Sequence, residues 1–176
     1  MDKRPGNSKI VLVAATDMEV KLLTGECTFL GAGTDHLRSY ALGDLHFDLL
    51  VTGIGSTFTT YFLTQHLSAN PCSLVINAGI AGSLSENLHI GDVVNVVEEE
   101  FSDLGIEQED EFLTLFDSGF MLADEFPFEN RMLKADGMSL AGYLPRVKGI
   151  TSNVSHGRES SISQVKERFS AGVESM

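Results

Sequence analysis

Apolar residues in this chain come in short runs broken by glycines and polar pairs, the pattern of strands and helices packed in layers. Ile10 to Ala15 is an unbroken apolar run, expected as a buried strand. Thr16 and Asp17 end it and supply capping chemistry for a helix that begins over Met18–Leu23. Phe29–Gly43 mixes glycine with β-formers and is expected to pair antiparallel with Leu45–Val51. Gly53 and Gly55 open an amphipathic helix over Thr57–Ser68, in which Phe58, Phe62, Leu63 and Leu67 fall near a helical repeat. Asn70-Pro71 ends it. Leu74, Val75 and Ile76 read as a strand buried on both faces, broken by Asn77 at its carboxyl end. Gly79 and Gly82 follow, then Gly91-Asp92 turns the chain into a strand over Val93–Glu98. Further on, Gly149–Val154 is expected as a strand, Glu159–Phe169 as a helix and Gly172–Ser175 as the start of a last strand. Residues 1–8 are polar and read as a frayed terminus, and Glu129–Leu144 has little period. The order predicts an α/β three-layer sandwich around a central twisted mixed sheet. No repeat or linker interrupts it, so residues 1–176 are expected to form a single domain.

From Glu98 to Glu129 there are twelve acidic residues and no Lys or Arg. A charge run usually marks a solvated face. Here Phe101, Leu104, Phe112, Leu115, Phe116 and Phe120 are interleaved with the acids, so the segment is expected to pack on its own side or against a partner subunit.

Composition narrows the functional classes. The chain has 176 residues, 43% hydrophobic and 21% charged, which is a globular balance with enough length for a sizeable core. No uncharged apolar run is long enough for a membrane helix. The basic start is followed by an apolar run that stops at Asp17, too soon for a signal peptide, so a cytoplasmic location is expected. Twelve basic against 25 acidic side chains give a net charge of −13, which repels nucleic acid and anionic membrane alike. Cys27 and Cys72 have neither CxxC spacing nor a His cluster and read as reduced, partly buried thiols. Nothing implies a metal or an organic cofactor.

Several residues carry candidate chemistry. Gly53-Ile54-Gly55 is not a dinucleotide fingerprint, because the position of the third glycine holds Phe58. The helix start after Gly55 reads equally as a receiver for an anion or water and as a plain strand-to-helix turn. Taken alone, the 77–82 loop is a tight connection between core strands, Glu19 a surface helix carboxylate and His156 a structural or surface side chain.

Together the motifs say more. Leu74–Val94 (LVINAGIAGSLSENLHIGDVV), Val11–Leu23 (VLVAATDMEVKLL) and Val51–Leu67 (VTGIGSTFTTYFLTQHL) resemble signatures of the nucleoside phosphorylase and nucleosidase superfamily. Phe101–Phe120 (FSDLGIEQEDEFLTLFDSGF) resembles one branch in particular, the futalosine hydrolases of an alternative menaquinone pathway. The resemblance runs from about Ile10 to the last residue. It implies a phosphorylase/hydrolase-like fold, no cofactor, a small-molecule nucleoside substrate and assembly as a homodimer or higher homo-oligomer. It also implies that Glu19, in Ala15-Thr16-Asp17-Met18-Glu19-Val20, positions and deprotonates the attacking water. Ala15, Gly55, Ile80, Ala81, Gly82, Ser155, His156 and Met176 are then expected to contact the nucleoside.

Departures from the family pattern matter as much. Purine nucleoside phosphorylases carry an Arg where this chain has Asn77, and an amide cannot supply the charge that grips phosphate, so water is the expected nucleophile. Ile80 stands where methylthioadenosine nucleosidases have Ser, which favours the futalosine branch. Val173-Glu174-Ser175-Met176 matches the start of V-E-S-M-E, whose final Glu grips the ribose hydroxyls, and Met176 matches the residue that packs under the sugar. That Glu, a later strand bearing the Asp that protonates the purine, and a final helix do not follow. The expectation is a chain truncated at its C-terminus that lacks the leaving-group acid. The resulting reading is a purine N-ribosyl hydrolase acting on futalosine. The alternatives are a methylthioadenosine/S-adenosylhomocysteine nucleosidase and a catalytically dead nucleoside-binding fragment.

Overall fold

The computed structural model describes residues 10–109, 111–135 and 141–176; the expected frayed terminus lies outside them. The chain divides after Ile80 into two compact units.

The first unit is built on β1 (Ile10–Ala14). After it come α1 (Asp17–Gly25), β2 (Thr28–Ala32), β3 (Leu37–Leu42), β4 (Leu45–Val51), α2 (Ser56–Ala69) and β5 (Leu74–Asn77). The sheet order is β2-β3-β4-β1-β5, with β1 parallel to both its neighbours and β2, β3 and β4 antiparallel. Because α1 packs on one face of β1 and α2 on the other, its alternate residues feed two cores, which is why the sequence there is apolar without alternation. Leu12 and Ala14 pack with Tyr40, Phe47, Leu49 and Val20 of α1. Val11 and Val13 pack with Leu50 and with Phe62 and Leu63 of α2. Leu49 is fully buried, so truncating it to Ala is expected to cost about 2–5 kcal/mol.

Two sequence expectations are corrected in this unit. Leu74–Ile76 is not buried on both faces: among the described residues β5 is an edge strand bonded only to β1, and Val75 and Ile76 are each 37% exposed. Phe58 is not on the core face of α2; it is 57% exposed, and the packed positions are Phe62 and Leu63 with buried His66. The Phe29–Gly43 stretch holds β2 and β3, and β3 pairs antiparallel with β4, as expected.

The second unit contains β6 (Gly82–Ser83), β7 (Asn95–Phe101), β8 (Gly105–Glu107), β9 (Phe112–Thr114), β10 (Leu133–Lys134), β11 (Arg146–Thr151), α3 (Glu159–Phe169) and β12 (Val173–Ser175). Its sheet order is β10-β7-β11-β12-β6, with β7, β11 and β12 parallel and β10 and β6 antiparallel at the edges. β8 and β9 form a separate hairpin. Ile162, Val165 and Phe169 recur at helical spacing along α3 and pack on Ile150, Leu84 and Ala171. Lys148 donates to the Phe169 carbonyl at the end of α3 (2.6 Å) and pairs with Glu100. A cation there complements the negative end of the helix.

The acidic segment packs on its own side, as expected. Phe128 meets Phe101 and Phe116 edge-on, with ring centroids 6.5 and 5.2 Å apart. Arg131 lies over Phe116 and bonds Asp117 at 2.7 Å, and Arg168 of α3 lies over Phe112. Phe120 is outside this cluster and exposed. The chain is thus mixed α/β, as the sequence pattern predicts, and the strands among its described residues form two five-stranded sheets and one hairpin.

Candidate active site

In α/β sheets ligands meet the protein beyond the carboxyl ends of parallel strands. In the first unit those ends belong to β1, β4 and β5. The Gly53 amide donates to the Ala15 carbonyl (3.0 Å) and the Ala78 amide to the Val13 carbonyl (2.9 Å), so the turns after β4 and β5 are stitched to the end of β1. Gly53 and Gly55 have φ of 88° and 105°, the left-handed region in which glycine carries no steric cost.

Glu19 lies in the first turn of α1, half-buried. Its Oε2 accepts the Thr16 backbone N–H at 2.7 Å and the Thr16 hydroxyl at 3.1 Å. This is a carboxylate reaching back to the N-cap residue, the geometry of the Thr-x-x-Glu spacing. Its Oε1 accepts the Ile80 N–H at 3.1 Å, sixty-one positions along the chain. Gly79 is required for that contact: a Cβ there would stand 2.8 Å from Oε1 and 3.3 Å from Cδ. Asp17, two residues earlier, pairs with Arg38 at 2.5 Å. Asn77 is exposed at the end of β5. Of the sequence-derived residues, this unit therefore gathers Ala15, Glu19, Ile80 and the turn bearing Gly55.

In the second unit the loop after β11 stands beside the end of β12. The Ser152 amide donates to the Ser175 carbonyl (2.9 Å), and the Asp103 carboxylate accepts the Asn153 N–H (2.7 Å). His156 donates its backbone N–H to Glu174 Oε1 at 2.9 Å, and its Nδ1 lies 2.6 Å from Glu174 Oε2. Glu174 also pairs through its backbone with Gly82 of β6. Thus Gly82 and His156 share Glu174 as a neighbour. Ala81 and Ser155 are exposed, and Met176 follows β12 with 42% of its surface exposed.

Another carboxylate belongs to the same sheet. Glu99 of β7 accepts the Thr151 hydroxyl at 2.9 Å and lies 3.5 Å from the Ser175 hydroxyl. Burial raises its pKa above the ordinary carboxylate value, and the two hydroxyl bonds only partly offset this. Gly149 leaves room for it: a Cβ there would stand 2.7 Å from Glu99 Oε2 and 2.8 Å from Val96 Cγ1. Among the described residues no group of His, Cys, Asp and Glu converges as a metal site, and both cysteines are free thiols. No helix among them is long and apolar enough to cross a membrane.

Sequence reasoning did not single out Glu174, Glu99 or the reason for Gly79. Each depends on a partner distant in the chain, so no local spacing signals it. The Thr16–Glu19 pair did have a local signal, its three-residue spacing.

No curated protein matches the chain in sequence. Solved structures match it closely in fold. The native futalosine hydrolase of Helicobacter pylori superposes with a TM-score of 0.72 at 16% identity, over 95% of this chain and 73% of that one. A Helicobacter pylori MTAN variant with 5′-methylthioadenosine in its active site superposes with a TM-score of 0.73 at 16% identity, over 98% and 76%. The Streptococcus pyogenes S-adenosylhomocysteine nucleosidase, in complex with 5-methylthiotubericidin, superposes with a TM-score of 0.71 at 18% identity, over 99% and 75%. At these identities the likeness is one of fold. The family model described as Phosphorylase superfamily matches residues 9–135, most of the chain, and the protein belongs to that superfamily.

Proposed function

We propose that this protein is a purine N-ribosyl hydrolase, and that its substrate is futalosine, cleaved by water to hypoxanthine and dehypoxanthine futalosine. The observation that carries the reading is the Glu19 carboxylate, fixed by Thr16 and Ile80 at the carboxyl end of β1 while still half-exposed. Three of its roughly four lone-pair sites are engaged, leaving capacity to accept from a water. As the bond from C1′ to the purine nitrogen breaks, its electron pair leaves with the base. Water adds at C1′, its proton passes to Glu19, and the departing base takes up a proton from solvent to give hypoxanthine.

Water is favoured over phosphate by charge. A phosphate dianion needs cationic donors. Neither the 53–55 turn nor the 77–82 loop has a Lys or Arg, Asn77 is neutral, and Arg38 is already paired with Asp17. In the second unit, Ala81, Gly82, Ser155, His156 and Met176 are proposed as nucleoside contacts, and in the first Ala15, Gly55 and Ile80. Ile80 supports the futalosine reading over that of a methylthioadenosine/S-adenosylhomocysteine nucleosidase. The equally close fold likeness of solved nucleosidases supports the latter as the second reading.

The test is product identity for futalosine and for methylthioadenosine, each with and without phosphate. Hypoxanthine from futalosine at a rate indifferent to phosphate is expected. Adenine from methylthioadenosine alone would select the second reading, and any ribose 1-phosphate product would overturn hydrolysis.

A further inference from the structure

Glu174 is more than nine-tenths buried, and both of its oxygens are spent on a single residue, His156. Oε1 takes the backbone N–H and Oε2 takes the ring, so the loop and the imidazole are pinned by one side chain. A carboxylate only accepts, so the ring nitrogen facing it must donate. The imidazole is thereby fixed with its hydrogen on Nδ1, leaving Nε2 as the ring atom free for other chemistry. The His156 side chain is 20% exposed, whereas Glu174 is 6% exposed, so the buried partner orients the accessible one. His156 follows the carboxyl end of β11, where α/β sheets receive ligands, while Glu174 lies within the parallel strand β12, in register with Ile150.

We propose that Glu174 is a positioning residue for His156, and that Nε2 of His156 hydrogen-bonds the purine of the substrate. This rests on the reading of the protein as a purine nucleoside hydrolase. Glu174 itself does not touch the substrate. It sets the tautomer and the ring plane, so that one nitrogen is presented in one orientation. A purely structural pin would need the two bonds but would be indifferent to which ring nitrogen faced outward.

Two measurements test this on the full chain. The first is nitrogen NMR of the His156 ring in the unaltered protein and in Glu174→Gln. The Nδ1–H tautomer is expected in the former and a shift toward Nε2–H in the latter. An Nε2–H tautomer in the unaltered protein would overturn the proposal. The second is calorimetric binding of hypoxanthine and adenine to the unaltered protein, His156→Phe, Glu174→Gln and the double variant, each corrected for its folded fraction. Each single substitution is expected to weaken binding of the preferred base about tenfold, the scale of one lost hydrogen bond. The double variant is expected to lose little more, because the two residues act through one contact. Single variants that bind as well as the unaltered protein would overturn the inference and leave the hydrolase reading standing. Failure of the unaltered protein to bind either purine would overturn both.

Discussion

Each unit lays one carboxylate over a glycine, and the two pairs end in opposite circumstances. Glu19 lies over Gly79 and Glu99 over Gly149, with the missing Cβ atoms of the two glycines only 2.8 and 2.7 Å from the respective carboxylate oxygens. Glu19 is at the end of its strand system, half-exposed, and is held by two backbone N–H groups and one hydroxyl. Glu99 is inside its sheet, held by hydroxyls from β11 and, one strand further, β12, and burial raises its pKa. The difference lies in the donors and the solvent. Backbone amides at a helix start orient a carboxylate without closing it off, and the helix dipole favours its charge. Hydroxyls within a sheet satisfy an oxygen but do not repay the loss of water around a charge. The same local device thus suits the base proposed for one unit and a buried acid in the other.

The sharpest way to break this comparison is to neutralise both carboxylates. Glu19→Gln keeps the shape but cannot take a proton from water, so turnover is expected to fall by about 10²–10⁴ with substrate affinity largely kept. Glu99→Gln is expected to leave turnover nearly unchanged. Steady-state rates and substrate dissociation constants for both variants check this. A loss confined to KM in Glu19→Gln would reduce Glu19 to a binding group, and an equal loss of turnover in both would erase the distinction.

What the sequence made legible follows the same division. β1 and the start of α1 could be read locally, because the apolar run Ile10–Ala14 and the Thr16–Glu19 spacing are complete in themselves. The helix Glu159–Phe169 was legible to its boundaries for the same reason. The exposure of β5 was not, since its apolar residues do not say how many neighbours the strand has. Phe58 misled because the helical repeat in α2 is short and its first turn extends past the core. In the candidate site, Glu19 had a local signature. The Glu174–His156 contact spans eighteen positions with all of α3 between them, so only the folded chain brings it into view.

Adding one methyl group at each glycine sharpens the comparison next. Gly79 has no strained φ, and the atoms an alanine Cβ would meet are the far end of the Glu19 side chain. Gly79→Ala is therefore expected to keep the melting temperature and displace the carboxylate, lowering turnover about tenfold, since misplacing a reacting group by a fraction of an ångström is costly. Gly149→Ala meets Val96 Cγ1 at 2.8 Å as well as Glu99. A β-branched side chain has little rotamer freedom to yield, so this variant is expected to lose about 1–3 kcal/mol of stability and little turnover per folded molecule. Thermal melts beside specific rates separate the two patterns, and a stability loss at Gly79 with no rate effect would show Glu19 to be merely a helix cap.

The smallest expected effect is in the pH dependence of stability. Glu99 has its pKa raised above the ordinary value of 4.5, chiefly by burial and against the pull of the Thr151 and Ser175 hydroxyls. A carboxyl whose folded pKa is raised binds its proton more tightly in the folded chain. Below the ordinary value it is protonated in both states, and its contribution to stability is fully present. As pH rises through the raised folded value, the folded chain must carry a charge it solvates poorly, and that contribution is lost. Glu99→Gln removes the titration while keeping an oxygen that can accept from Thr151, and its amide can donate to the Ser175 hydroxyl. The variant is accordingly expected to match the unaltered protein at acid pH and to become the more stable of the two, by a higher Tm, as pH rises toward neutrality. Because both proteins share every other titrating group, the difference between their Tm curves isolates Glu99. A constant difference across the whole range would mean that packing, not charge, separates them. A difference that grew on the acid side instead would mean that Glu99 is stabilised as a carboxylate in the fold, and the contrast with Glu19 would then rest on position in the sheet alone.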